Sequence, residues 1–390
     1  MAELHFNYKD LFKALKLGFS AKKLIMMGLG LLVGAVLYNI FSYLGFLASG
    51  FSFYQIWDAY RVLPIPESLS WYGWVLYGLG VGLFLASILI TATAVVKVTY
   101  EQLRGDDFFQ ITEAFKFAFK NINAIFMSWI LVIIFIATVV VCGLILSAIG
   151  RIPYFGELFM SIFTVIAFFA SLFIVYLAII LFFALLYAPV VVGTAKTDTF
   201  DTLFEVFSMV NHQTARTIWY TLIVAFLAKV GFVILGLFSR ASVLIGINIL
   251  KIFMGNKILE LATNASYGFK LTIPYWCPEI GAIICDKIYT LLSGDILFAP
   301  FNFSASNWAM AISSVIVLLS YYVIILFVFA YPFTVLYTGL TASFLVIYKK
   351  KDDRNLLEEK EEQLTCSESI TTKEGETTTS EEKPEAPPAS

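Results

Sequence analysis

The stretch Arg104–Asn121, RGDDFFQITEAFKFAFKN, lies between two long apolar runs, Trp71–Val98 and Ile125–Ile149. It is too charged to cross a bilayer and too apolar for a plain loop. A helix started after Asp107, a suitable N-cap, gathers Phe108, Ile111, Ala114, Phe115, Ala118, Phe119 and Ile122 on one face. Gln110, Glu113, Lys116 and Lys120 fall on the other. Lysines beside a phenylalanine stripe suit a helix lying in the headgroup layer; the alternative is an extension of the next span. On either reading the two neighbouring runs are separate crossings.

Working outward, a helical crossing needs about 20 apolar residues. Six runs qualify: 24–46, 71–98, 125–149, 155–192, 217–238 and 309–348. Composition agrees, with 59% hydrophobic and only 14% charged residues, where soluble domains hold roughly 45–50% and 25%. The expected fold is all-α, a polytopic helical membrane protein. The fourth and sixth runs approach about 60 Å as helices, twice the hydrocarbon thickness, so they tilt, bend or project. Pro189 and Pro332 lie inside them and are expected to kink them. The first run exceeds the roughly 7–15 apolar residues of a signal peptide and reads as a signal anchor.

The segment repeats in outline. KALKLGFSAKKLI (13–25) aligns with EAFKFAFKNINAI (113–125), and EVFSMVNHQTART (205–217) is a third, lysine-free copy. The chain then reads as three units, each an amphipathic interfacial helix followed by two spans. Lys9, Lys13, Lys16, Lys22 and Lys23 precede the first span. Lys97, Arg104, Lys116, Lys120, Lys196 and Arg216 flank the next two loops on that side, and Lys349–Lys351 follow the last span. Only Arg61 and Arg151 mark the opposite short loops. The positive-inside bias places both termini in the cytoplasm and the chain in the cell membrane.

Residues 239–308 are expected as an extracytoplasmic loop, either a folded cap or a segment dipping into the bilayer. Cys277 and Cys285 lie in it and either pair on an oxidising side or remain free thiols. Residues 355–390 form an acidic tail. From Asp352 onward the chain holds 12 of its 28 acidic residues, a composition expected to stay disordered. The rest is mildly basic, which suits an anionic leaflet; membrane lipids are the implied partners, with a membrane protein or a second copy next, and nucleic acid is not implied.

Chemistry is sparse. Asp106 and Asp107, with Gln110 in place of a further acid, fall short of the carboxylate set that holds Mg²⁺ against a diphosphate; Asp198 and Asp201 are the only near candidates for a second set, and N-capping explains all four acids. His5 and His212 lack metal spacing. No catalytic, cofactor or metal residue is assigned. Lys229 alone stands out. Counted from Thr217 it lies about 18 Å along the fifth span, so it is expected to face the bundle interior or water, as a ligand contact or as a structural polar contact. Gly30/Gly34 and Gly78/Gly82 have the spacing of close helix contacts. They are expected to pack against other spans or another subunit rather than against each other.

The stretches APVVVGTAKTDTFDTLFEVFSMVNHQTARTIW (188–219) and YPFTVLYTGLTASFLVIYKKKDDR (331–354) resemble the family related to the membrane domain of glycerophosphoryl diester phosphodiesterases. In both, a proline closes a long span and polar or basic residues follow. The acidic residue that often follows the proline-bearing span is replaced by Gly193 and Thr194, and 239–308 stands as an insertion. The resemblance implies a bundle of spans and interfacial helices, without the catalytic domain. The expected function is therefore a non-enzymatic scaffold or accessory in membrane organisation; the alternatives are a transporter or lipid-handling protein with a cavity near Lys229, and last an integral membrane enzyme. Single cysteines near Arg104 and Lys196 should label only from the cytoplasmic side, and those in 239–308 only from outside. Cytoplasmic labelling of that loop would overturn the topology.

Overall fold

The computed structural model describes residues 6–60, 64–195, 197–267, 307–353 and 355–358. Among them there is no strand. After a single-turn Tyr8–Phe12 segment come α1 (Lys13–Gly18), α2 (Ala21–Ala48), α3 (Phe53–Tyr60), α4 (Trp71–Leu103) and α5 (Ile111–Lys120). The remainder is α6 (Ile122–Ile149), α7 (Phe155–Ala195), α8 (Thr199–His212), α9 (Thr214–Met254), α10 (Asn256–Tyr267) and α11 (Trp308–Asp352). Six of these, α2, α4, α6, α7, α9 and α11, are long and apolar enough to cross a membrane. The expected all-α membrane fold is the observed one.

The six long helices pack as three hairpins, α2 with α4, α6 with α7 and α9 with α11. In α2–α4 the backbones approach closely at glycines. Ser87 Oγ donates to the Gly30 carbonyl at 2.6 Å, and a Cβ on Gly30 would stand 2.1 Å from Thr91 Oγ1. Gly34 meets Phe84 and Ser87, Gly45 meets Gly73, and Gly80 meets Phe41. Gly30 and Gly34 face the hairpin partner α4, whereas Gly78 and Gly82, expected to pack against another span or subunit, meet nothing within 4 Å.

Exposure changes abruptly along the second helix of each hairpin. In α4 it is substantial from Trp71 to Leu85, and from Ile88 to Glu101 nearly every residue is buried. Buried side chains crowd the same end of α7, from Leu177 to Thr194, and of α11, from Val328 to Ile347. These three ends contact one another and form one apolar core with Leu11, the start of α2, α5, α8 and the start of α9. The described ends of the chain meet there too: Lys349 lies over the Phe6 ring, and Tyr100 Oη donates to the Leu356 carbonyl at 2.7 Å. This pole is called basal below. Toward the other pole α6 and α7 contact mainly each other, and residues 133–149 and 157–175 are largely exposed.

The short helices fold back along the buried ends. Phe6 meets Lys349, Ala14 faces Gly339, and Gly18 faces Val335, so the N-terminal segment runs along α11 towards the apolar pole. Similarly α5 packs on α4, and α8 on α7. Several boundaries differ from the sequence reading. α5 starts at Ile111 after Gln110, not after Asp107, because the Asp106 carboxylate accepts from the Phe108 N–H and Gly105 turns at φ +103°. α9 starts at Thr214 and continues unbroken to Met254, and α10 follows, so the start of the segment expected as a loop from 239 is helix. Pro189 and Pro332 lie within α7 and α11, which run through them as helix. Cys277 and Cys285 lie outside the described residues, as does the tail beyond Glu358.

Gly30→Ala should lower thermal stability in detergent, by about 1–3 kcal/mol as overpacking does, because Thr91 is held by its bond to the Ser87 carbonyl. Gly78→Ala should leave it unchanged or raise it. Equal effects would show that the two glycines share one environment.

Candidate functional site

The basal core is where charge and burial coincide. α4 carries Lys97 and Glu101 one turn apart, a spacing that pairs side chains on one helix face. Lys97 Nζ lies 2.5 Å from Glu101 Oε1, and both are nearly buried. Arg104 Nη1 reaches Glu101 Oε2 at 3.2 Å. Lys97 Nζ also stands 5.0 Å from the Phe117 ring centre and 5.1 Å from that of Tyr100, an arrangement in which aromatic faces attract the cation. The cluster therefore ties α4 to α5, and through Tyr100 to the segment leading into the tail.

Further polar ties surround it. Lys23, 1% exposed, donates to the Leu17 carbonyl at the end of α1 at 3.0 Å; this satisfies a helix-end acceptor that has no partner within its own helix. Lys22 donates to the Phe109 carbonyl and so pins the α4–α5 turn to the start of α2. Glu205 on α8 pairs with Lys351 on α11 at 2.6 Å. Asp10, buried, pairs with Lys13 at 2.7 Å. At the centre Tyr187 Oη lies 2.9 Å from Thr221 Oγ1 and 3.3 Å from Ser343 Oγ, joining α7, α9 and α11. The Lys22, Glu205–Lys351 and Tyr187 contacts join elements distant in sequence, whereas Asp10–Lys13 and Lys23–Leu17 are local.

The acids weighed as ligands lie apart from this network. Asp106 and Asp107 are exposed in the α4–α5 turn, and Asp198 and Asp201 are exposed at the start of α8. Among the described residues no three His, Cys, Asp or Glu side chains gather closely enough to hold a metal ion.

Of the two surroundings expected for Lys229, the bundle interior is not the one observed. It is exposed on the outer face of α9, on the side that also shows Leu222, Phe226 and Val233, and it does not face the bundle interior. The inward faces of α9 at that level are Ala228 and Gly231, the latter against Tyr331 and Leu15. Sequence reasoning missed the Lys97–Glu101 pair, for which the i, i+4 spacing at the end of a span was the available signal.

A bundle of three helical hairpins closed by a buried ionic and hydroxyl core defines the class: a polytopic helical membrane protein. Comparison with protein-family models, with curated proteins and with solved structures finds no match for this chain.

Glu101→Gln should leave the Lys97 ammonium buried without its carboxylate and cost about 3–5 kcal/mol, whereas Lys97→Met combined with Glu101→Leu should recover most of the loss. Thermal unfolding of wild type and the two variants in one detergent decides this. A double variant as unstable as the single one would mean that the pair itself, rather than charge balance, holds the core.

Proposed function

We propose that the protein is a non-enzymatic integral membrane component, a scaffold or accessory that organises the membrane or a neighbouring assembly. The observation that carries this reading is the α6–α7 hairpin. Its distal half leaves α2–α4 and α9–α11 and exposes side chains on all sides: Ile134, Val140, Val141 and Leu144 on α6, and Leu158, Ile162, Val165, Ile166 and Phe169 on α7. A hairpin needed only to complete the bundle would bury one face against it. This one is held internally by Phe135 against Phe173, centres 5.8 Å apart, and by Gly150 against Met160. It thus presents a preformed paddle to lipid, a membrane-protein partner or a second copy.

The basal network supports the same reading. Its ionisable groups are engaged in joining helices, the use to which buried charge is put when it is paired rather than reactive. The likeness of 188–219 and 331–354 to the family related to phosphodiesterase membrane domains is consistent with it, since that likeness brings no catalytic residues.

Photo-crosslinking amino acids at Val140 and Ile166 in the native membrane should give discrete protein adducts, of the chain with itself or with one partner. The same probes at Ile40 and Leu85, exposed on the packed α2–α4 hairpin, should give lipid adducts only. Lipid adducts alone at all four positions would sink the scaffold reading.

A further inference from the structure

We infer that Lys229 marks the basal edge of the hydrocarbon on α9 and binds the phosphate of an anionic lipid there. α9 is 41 residues long, about 60 Å, and only half of it fits a core of about 30 Å. Its cations stand at Arg216, Lys229, Arg240 and Lys251. Two registers bracket about a bilayer thickness. One runs from Arg216 to Arg240 and leaves Lys229 in the middle. The other runs from Lys229 to Lys251 and leaves Arg240 in the middle.

The two differ in what each central cation meets. Lys229 is exposed, and no hydrogen bond, ion pair or ring contact engages it among the described residues. Arg240 is half-buried and has a partner. An ionised side chain at the bilayer centre is tolerated when it is paired or faces the protein, and is disfavoured on the lipid face. The second register is the one that satisfies this. The exposed apolar Ile218, Leu222 and Phe226 would suit the first, but apolar side chains at the headgroup border cost less than an unpaired ammonium among acyl chains.

Packing gives an independent argument. α1 touches α9 over Val224–Gly231: Ala14 and Val224 meet at Gly339, and Leu15 and Tyr331 meet at Gly231. Tyr331 Oη donates to the Leu15 carbonyl at 3.4 Å. α1 carries Lys13 and exposed Lys16, and Phe19, exposed, closes it. A short helix with that surface belongs to the headgroup layer rather than to the hydrocarbon. The part of α9 it touches lies at the same level, and Lys229 is within it. An ammonium on a lipid-facing surface at that depth, without a carboxylate, takes its counter-charge from lipid phosphate.

The test uses the full chain in nanodiscs of phosphatidylcholine containing phosphatidylglycerol. Bromolipid quenching of a fluorophore on Phe226→Cys should be shallow, and on Leu237→Cys deep; equal depths would overturn the register. Native mass spectrometry should show wild type enriched in phosphatidylglycerol about fivefold over Lys229→Met, the worth of one lysine near a charged surface. Lys229→Arg should retain the enrichment. Thermal stability of Lys229→Met should match wild type, because the side chain is exposed and makes no hydrogen bond, ion pair or ring contact among the described residues. Equal lipid retention in Lys229→Met would overturn the site, and so would displacement of the lipid by inorganic phosphate, which would make it an anion site of no lipid preference.

Discussion

The constraint behind the whole structure is a mismatch of length. α4, α7 and α11 span 33, 41 and 45 residues, about 50–67 Å as helices, against about 30 Å of hydrocarbon. A carbon-rich helix that leaves the lipid must find protein to cover it, or expose apolar surface to water at about 25 cal/mol per Å². The abrupt change in α4, from exposed at Leu85 to buried at Ile88, records that demand. The three surplus ends meet one another, and the short helices fold back to cover what the ends leave open. The basal core is thus a small soluble-type core built at the foot of membrane hairpins.

Burying those ends also buries their polar groups, which then need partners. Threonines along α4 and α11 return their hydroxyls to the carbonyl one turn back, as at Thr93, Thr99, Thr334 and Thr341. The charged groups are settled by the pairs Lys97–Glu101 and Lys351–Glu205, and Lys23 by a helix-end carbonyl. Of these pairs only Lys351–Glu205 joins elements distant in sequence; with Lys22 on the Phe109 carbonyl and the Tyr187 hydroxyl cluster it helps set which hairpin sits beside which.

Much of this was legible in the sequence. Six apolar runs gave six long helices, because a run of that length has no other way to satisfy its backbone in lipid. The close approach of Gly30 and Gly34 was readable, since small residues one turn apart leave a groove on one face. Gly78 and Gly82 had the same spacing and pack nothing; the contact falls on Gly73 and Gly80, because the face α4 presents is chosen by its crossing with α2. Which way Lys229 faces stays open in the sequence, between interior and water, for a related reason. Its orientation was inferred from rise along one helix, and nothing local reveals that the first turns of α9 serve the basal core. That role is fixed by α1, some two hundred residues earlier. Asp107 failed as a cap because Asp106 forms the turn first.

The order in which the short helices are used closes the bundle. α5 covers the end of α4, the helix before it, and α8 covers the end of α7. Among the described residues no α-helix precedes α1 and none follows α11, and these two cover each other, through Gly18 on Val335 and Ala14 against Gly339. The packing is therefore cyclic although the chain is linear. Each surplus end is covered by a segment of the next hairpin, so a cut at any one point exposes one apolar face and leaves two covered. The contact between α1 and α11 joins the described helices most distant in sequence and is the costliest of these in loop-closure entropy. The N-terminal segment and α11 are further held by the Phe19–Tyr331 edge contact, the Tyr331 bond to Leu15 and the Lys349–Phe6 contact. That reinforcement is what a ring needs where its chain has no covalent link.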